Sequence, residues 1–149
     1  MDSVGIAAVA TVLVIGTVVG LWRRRTDGRL EPKTPVAAVT AAGGEWLDAG
    51  LLAALGIGPA DATLLQFSSA FCTPCRAVRR VSSEVAALIP GVQHIEVDAE
   101  SHLDVVRALR VWRTPTLFVL DAGGRVTKRA TGVPSKPQLI AALGQVLPS

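Results

Sequence analysis

Ala62-Thr-Leu-Leu-Gln-Phe-Ser-Ser-Ala-Phe-Cys-Thr-Pro-Cys-Arg76 is the stretch that decides the fold of this 149-residue chain. Its first part, Ala62 to Ser68, is mostly apolar, which predicts a strand in the middle of a sheet. Cys72 and Cys75, the only two cysteines, stand where that strand turns into a helix. Two thiols at this spacing can close a small disulfide and reopen it. Such a pair is more often redox-active or metal-binding than part of a disulfide scaffold. Pro74 fits the first helical turn, where its missing N–H leaves no bond unmade. Beyond it, Val78, Val81, Val85, Leu88 and Ile89 form one helical stripe, with Arg76, Arg79, Arg80 and Glu84 off it, and Pro90-Gly91 ends the helix.

Working toward the carboxyl end, Val92 to Val97 alternates as a strand does. Ser101 and Asp104 resemble a capping box for a helix running to about Arg110. Thr116 to Leu120 is the next strand, Asp121 to Gly124 a hairpin turn, and Arg125 to Ala130 an alternating edge strand. Ser135 with Gln138 opens a last helix, whose apolar face is Leu139, Ile140, Leu143, Val146 and Leu147. Working toward the amino end, Trp46, Leu47, Leu51, Ala54 and Leu55 recur at helical spacing until Gly56 to Pro59. Gly43-Gly44 punctuates the chain before them, and Val36 to Thr40 reads as a short strand. The order β-α-β-α-β-α-β-β-α predicts an α/β sandwich with a partly parallel sheet.

Val4 to Leu21 carries no charge over 18 residues. As a helix it spans about 27 Å, close to the hydrocarbon thickness of a bilayer. Trp22 suits the membrane interface, and Arg23-Arg24-Arg25 follow it. A cleavable signal peptide would put its basic residues first and a small-x-small site after the apolar stretch. Here Asp2 precedes and Leu21-Trp22-Arg23 follows, so a single transmembrane anchor is the expectation. Arg23, Arg24, Arg25, Arg29 and Lys33 all lie after the span, and the positive-inside rule places the large domain in the cytoplasm. The division expected is residues 1–22 as anchor, 23–35 as a polar juxtamembrane linker and 36–149 as the domain.

Composition narrows the function. The chain is 50% hydrophobic and 18% charged, enough apolar material for a core. Its net charge of +3 comes without a basic, aromatic-interleaved face, so nucleic acid is not expected as a partner. Twelve of its fifteen cations are Arg, a bias suited to a GC-rich bacterial genome. A zinc set of Cys72, Cys75, His94 and His102 is a weaker alternative, because the histidines are spaced more widely than zinc sites usually have them. No metal and no cofactor is expected.

The element order, Cys72-Thr-Pro-Cys75 at the start of a helix and Thr114-Pro115 about 40 residues later resemble the thioredoxin family. Phe67 to Arg76, Val97-Asp98, Arg113 to Thr116, Gly123-Gly124 and Gly132 carry that resemblance across residues 36–148. The resemblance implies a three-layer α/β/α sandwich with a mixed central sheet, here preceded by one transmembrane helix. It implies thiol–disulfide exchange, with Cys72 attacking and the more buried Cys75 resolving. It implies a cis Pro115, with Thr114, Pro115, Phe71 and Pro74 meeting the substrate. Partners would be protein or small-molecule disulfides, a reducing partner protein and the bilayer along Val4 to Trp22. Two departures stand out. Where many members of the family hold a buried aspartate, six residues before the first cysteine, this chain has Gln66. Where they often hold a lysine, it has His94. Gln66 and His94 are therefore expected to face each other as a candidate proton-relay pair, with the alternative of a structural histidine open. Two other functions stay open: a non-catalytic binding module with idle cysteines, and an outward-facing thiol-maintenance protein of the cytochrome-maturation type.

Overall fold

The computed structural model describes residues 2–26, 31–32 and 45–148, with side chains at 8–22 and 45–148. The expected strand at Val36–Thr40 and the glycines at 43 and 44 lie outside the described residues. In chain order the elements are α1 (Asp2–Thr26), β1 (Glu31–Pro32), α2 (Ala49–Ala54), β2 (Ala62–Ser68), α3 (Thr73–Leu88), β3 (Val92–Asp98), α4 (Leu103–Ala108), β4 (Thr116–Asp121), β5 (Val126–Thr131) and α5 (Lys136–Leu143).

Four strands of six or seven residues make the sheet, in the order β5-β4-β2-β3, with the two-residue β1 added outside β5. β2 and β3 are parallel and joined by α3, while β4 is antiparallel to both β2 and β5. The sheet is therefore mixed, as expected. All seven residues of β2 are buried. Strand geometry sends alternate side chains to opposite faces. Leu65 and Phe67 thus join Phe118, Leu120, Val105 and Leu109 in one core, beneath α2 and α4. Ala62 and Leu64 join Leu117, Val119, Val78, Val85, Leu139 and Leu143 in the other, beneath α3 and α5. The three layers follow from that alternation. Phe67 and Phe118 meet edge to face, with ring centres 5.8 Å apart.

Several local expectations change. Trp46 and Leu47 are not helical: Trp46 bridges to Arg125, and the Leu47 N–H donates to the Gly124 carbonyl at 3.0 Å. Helix α2 starts later, behind Asp48, whose carboxylate accepts from the Leu51 N–H at 2.9 Å. The helical spacing at Trp46 and Leu47 was a coincidence of apolar positions, because the hairpin edge supplied a backbone partner. Gly124 sits at φ +82°, and a Cβ there would come within 2.8 Å of the Leu47 carbonyl oxygen. The capping box at Ser101 does not form, since the Ser101 hydroxyl turns back to Asp98 at 2.6 Å and His102 is the N-cap. The Ser135–Gln138 box does form, with the Ser135 N–H donating to Gln138 Oε1 at 2.8 Å. Leu88 and Ile140 lie exposed, outside the stripes expected to bury them.

β5 is not the bare edge expected of it. Glu31 pairs with Arg129 and Pro32 with Lys128, so part of the segment expected to be a linker is bonded to the sheet. Helix α1 is also longer than the expected anchor, running 25 residues to Thr26. Every side chain described in it, 8–22, is exposed. Among the described residues no helix is long and apolar enough to cross a membrane.

Candidate active site

β2 ends at Ser68, and four residues later Cys72 caps the amino end of α3 in an extended conformation. The turn is held locally, by the Cys72 N–H donating to the Ser69 carbonyl and the Cys75 N–H to the Cys72 carbonyl, both at 3.2 Å. Thr73 and Pro74 form the first helical positions. Cys72 and Cys75 are joined in a disulfide, with Cα atoms 5.3 Å apart. Cys72 is half-buried; Cys75 is 2% exposed. Cys72 is thus the more accessible of the two. The first turn of α3 has no acidic residue, so the partial positive charge of the helix end acts on Cys72 undiminished. Arg76 follows in the same turn and is exposed.

The Thr114–Pro115 bond is cis. The Thr114 and Ser69 hydroxyls are 3.0 Å apart and share a hydrogen bond, which ties the proline loop to the cysteine loop. The Gly132 N–H, at φ +88°, donates to the Pro115 carbonyl at 3.0 Å, and the Thr116 hydroxyl donates to the Arg113 carbonyl at 2.7 Å. Pro115 is buried and Thr114 half-buried, while Phe71 and Trp112 are 97% and 87% exposed. Cys72, Cys75, Phe71, Pro74, Thr114 and Pro115 thus gather at one end of the sheet. Ser69 and Trp112 belong with them and escaped sequence reading. Nothing local marks Ser69. Trp112 could have been flagged as a large aromatic just ahead of Thr114-Pro115.

Gln66 and His94 do face each other: His94 Nε2 lies 3.1 Å from Gln66 Oε1. Gln66 is fully buried, and its amide nitrogen donates to the Cys75 carbonyl at 3.0 Å. That nitrogen also lies 3.4 Å from Glu96 Oε1. His94 Nδ1 lies 3.1 Å from the Ser83 hydroxyl, and Glu96 is held by Arg79 through two hydrogen bonds. Because Gln66 offers His94 only an oxygen, Nε2 carries the proton and Nδ1 accepts from Ser83 in the neutral ring. The chain of bonds from His94 ends on the carbonyl of Cys75, so its direct effect is to hold that residue's backbone in place. Glu96, two residues on from His94 and on the same face of β3, was legible as its neighbour but was not singled out.

Burial holds the His94 pKa below its ordinary value near 6.5, outweighing the attraction of Glu96. The hydrogen bond from Arg79 lowers that of Glu96. The folded protein therefore takes up the His94 proton later than the unfolded chain as pH falls. The His94 contribution to stability is complete above about pH 6.5 and is lost as pH drops below it. Glu96 stays ionised through that window. Melting curves at pH 7.5 and 5.5 should show a smaller acid loss for His94→Gln than for the parent. Equal losses would show that His94 is not the group responsible.

Among the described residues no three His, Cys, Asp or Glu side chains converge on a metal-sized site. Each sulfur is committed to the other, and His102 Nδ1 lies instead 3.2 Å from the Asp98 carbonyl.

A model of the thioredoxin family matches residues 56–145, which is more than half of the chain. The chain is 31% identical over 76 residues to Thioredoxin H4-1 of Oryza sativa subsp. japonica, covering 51% of this chain and 56% of that one. It is 35% identical over 69 residues to Thioredoxin H2-1 of the same organism, covering 46% and 49%. The chain thus spans about half the length of these curated relatives. Among solved structures, chloroplastic thioredoxin z superposes with a TM-score of 0.55 at 20% identity, over 72% of this chain and 97% of that one. Reduced thioredoxin of Schistosoma mansoni gives 0.55 at 16%, over 67% and 92%. At these identities the structures speak for the fold alone.

Proposed function

Because this chain belongs to the thioredoxin family, we propose that it is a membrane-anchored thiol–disulfide oxidoreductase working through Cys72 and Cys75. The observation that carries the reading is the Cys72–Cys75 disulfide at the amino end of α3, on a loop hydrogen-bonded through Ser69 to the cis Thr114–Pro115 loop. In the reduced protein the Cys72 thiolate attacks one sulfur of a partner disulfide. A mixed disulfide forms, and the partner's other sulfur leaves as a thiolate and takes a proton. Cys75 then gives up its proton and attacks Cys72. The partner departs fully reduced, and the Cys72–Cys75 disulfide remains. Two electrons have passed to the partner, and an external dithiol must return them.

Thr114 and Pro115 would line the track for an extended substrate, with Phe71 and Pro74 on its other side. Gln66 and His94 would hold Cys75 in register for its attack. The anchor reading rests on the uncharged run Val4–Leu21 of the sequence, whose described side chains, 8–22, are all exposed. With the five cations on its carboxyl side, the domain would lie in the cytoplasm, where the protein would act as a reductant.

Two measurements test this. The Cys72–Cys75 pair, incubated in mixtures of reduced and oxidised glutathione, should settle at a ratio set by the mixture. A pair that does not exchange would mark an idle scaffold. A reporter that is active only outside the cytoplasm, fused to the carboxyl end, should stay silent. If it is active, the protein is an outward-facing one.

A further inference from the structure

We propose that the cysteine-bearing end of the domain faces the bilayer surface, with Trp112 seated among lipid headgroups and Phe71 left beside the substrate track. The inference rests on the anchor reading and adds a direction to it. β4 begins right after Pro115, and Thr131 at the end of β5 pairs with Thr116. The Thr131 end of β5 is therefore the proline-loop end of the sheet. β1 runs antiparallel to β5, with Glu31 opposite Arg129 and Pro32 opposite Lys128. Passing from Glu31 to Pro32, the chain moves away from Thr131. It therefore enters the sheet from the end that carries the disulfide.

The tether is short. Thr26 ends α1 and Glu31 begins β1, leaving four residues between them. Five peptide links reach at most about 18 Å. In the sheet order β1-β5-β4-β2, the strand leading to Cys72 is three places from β1. At about 4.8 Å per place, that is a lateral offset of about 14 Å. The chain therefore approaches Glu31 from the side of the reactive end, and the tether keeps Thr26 within about 18 Å of Glu31.

What stands exposed at that end suits a bilayer surface. Phe71 and Trp112 are the two most exposed large hydrophobic side chains among the described residues of the domain. They sit on the two loops joined through Ser69 and Thr114. Arg113 follows Trp112 directly, Arg76 comes five residues after Phe71 in α3, and both are exposed. Aromatic rings with basic neighbours are the residues that settle at the lipid–water interface, and the cations favour anionic lipid. In this placement partners reach Cys72 along the membrane surface.

The three tryptophans make the test. Trp22 ends the apolar run, Trp112 is at the disulfide end, and Trp46 bridges to Arg125 beside the hairpin at the opposite end. Three full-length variants, each keeping one tryptophan and carrying Phe at the other two positions, would be placed in phosphatidylcholine–phosphatidylglycerol vesicles with headgroup-spin-labelled lipid. Trp112 should be quenched severalfold more strongly than Trp46. Trp46 quenched as strongly as Trp112, or more so, overturns the proposal. Trp22 quenched with neither of the others affected leaves the anchor standing and also overturns it. Trp22 unquenched removes the anchor reading itself, and the proposal with it.

Discussion

Cys75→Ala will leave this protein fastened to its partners instead of releasing them. Cys72 is half-buried at the helix end, so its sulfur stays open to a partner disulfide in the variant. The group that would break the resulting mixed disulfide is gone. Cys75 owes that task to position: it is three residues on, 2% exposed, with its carbonyl fixed by Gln66 at 3.0 Å. Cys72→Ser, in contrast, removes the first attack. Its rate of protein-disulfide reduction should fall at least about a thousandfold, which corresponds to about 4 kcal/mol of activation free energy. Non-reducing electrophoresis with a disulfide-bonded substrate checks both. Cys75→Ala should give a dithiothreitol-sensitive adduct, and Cys72→Ser should give none. An adduct with Cys72→Ser, or normal turnover with Cys75→Ala, would reverse the assigned roles.

Phe118→Ala should be the most destabilising single change in the domain. The ring is fully buried in the core beneath α2 and α4, edge to face with Phe67. Above it, at 5.2 Å from the ring centre, lies the Arg129 guanidinium. That group donates to the carbonyls of Leu109 and Arg110 at 3.2 and 2.6 Å, where α4 leads into the proline loop. Truncating a buried Phe to Ala costs about 3–5 kcal/mol, against a total stability of about 5–15 kcal/mol. Urea unfolding should show a loss of that size, with Phe118→Leu losing less than half as much. The activity of the variant should fall as well, through the Arg129 support of residues 109–113. A loss below about 1 kcal/mol would mean that the core collapses around the gap, contrary to its close packing.

Most of the sheet could be read from local pattern. Ala62–Ser68 is a central strand because its run of apolar residues meets cores on both faces. The cysteines' place at a helix start was legible because Pro74 tolerates only the first turn. The fit was poorer where a distant partner decided the outcome. Trp46 and Leu47 became extended because the 124–126 hairpin offered backbone bonds. Ser101 abandoned its cap for Asp98. Glu31–Pro32 paired with β5 although its composition reads as a polar connector.

What residue order alone determined was the chemistry and its frame: two thiols at a strand-to-helix junction, a proline loop later in the chain, and strands alternating with helices. These depend on spacing along the backbone, which a chain carries before it folds. Only the tertiary structure decided what surrounds the sulfurs. Ser69 meets Thr114 across 45 residues, Gln66 meets His94 across 28, and the chain enters the sheet from the disulfide end. Such contacts arise when strand register brings distant residues level, and register is set by which faces must be buried together.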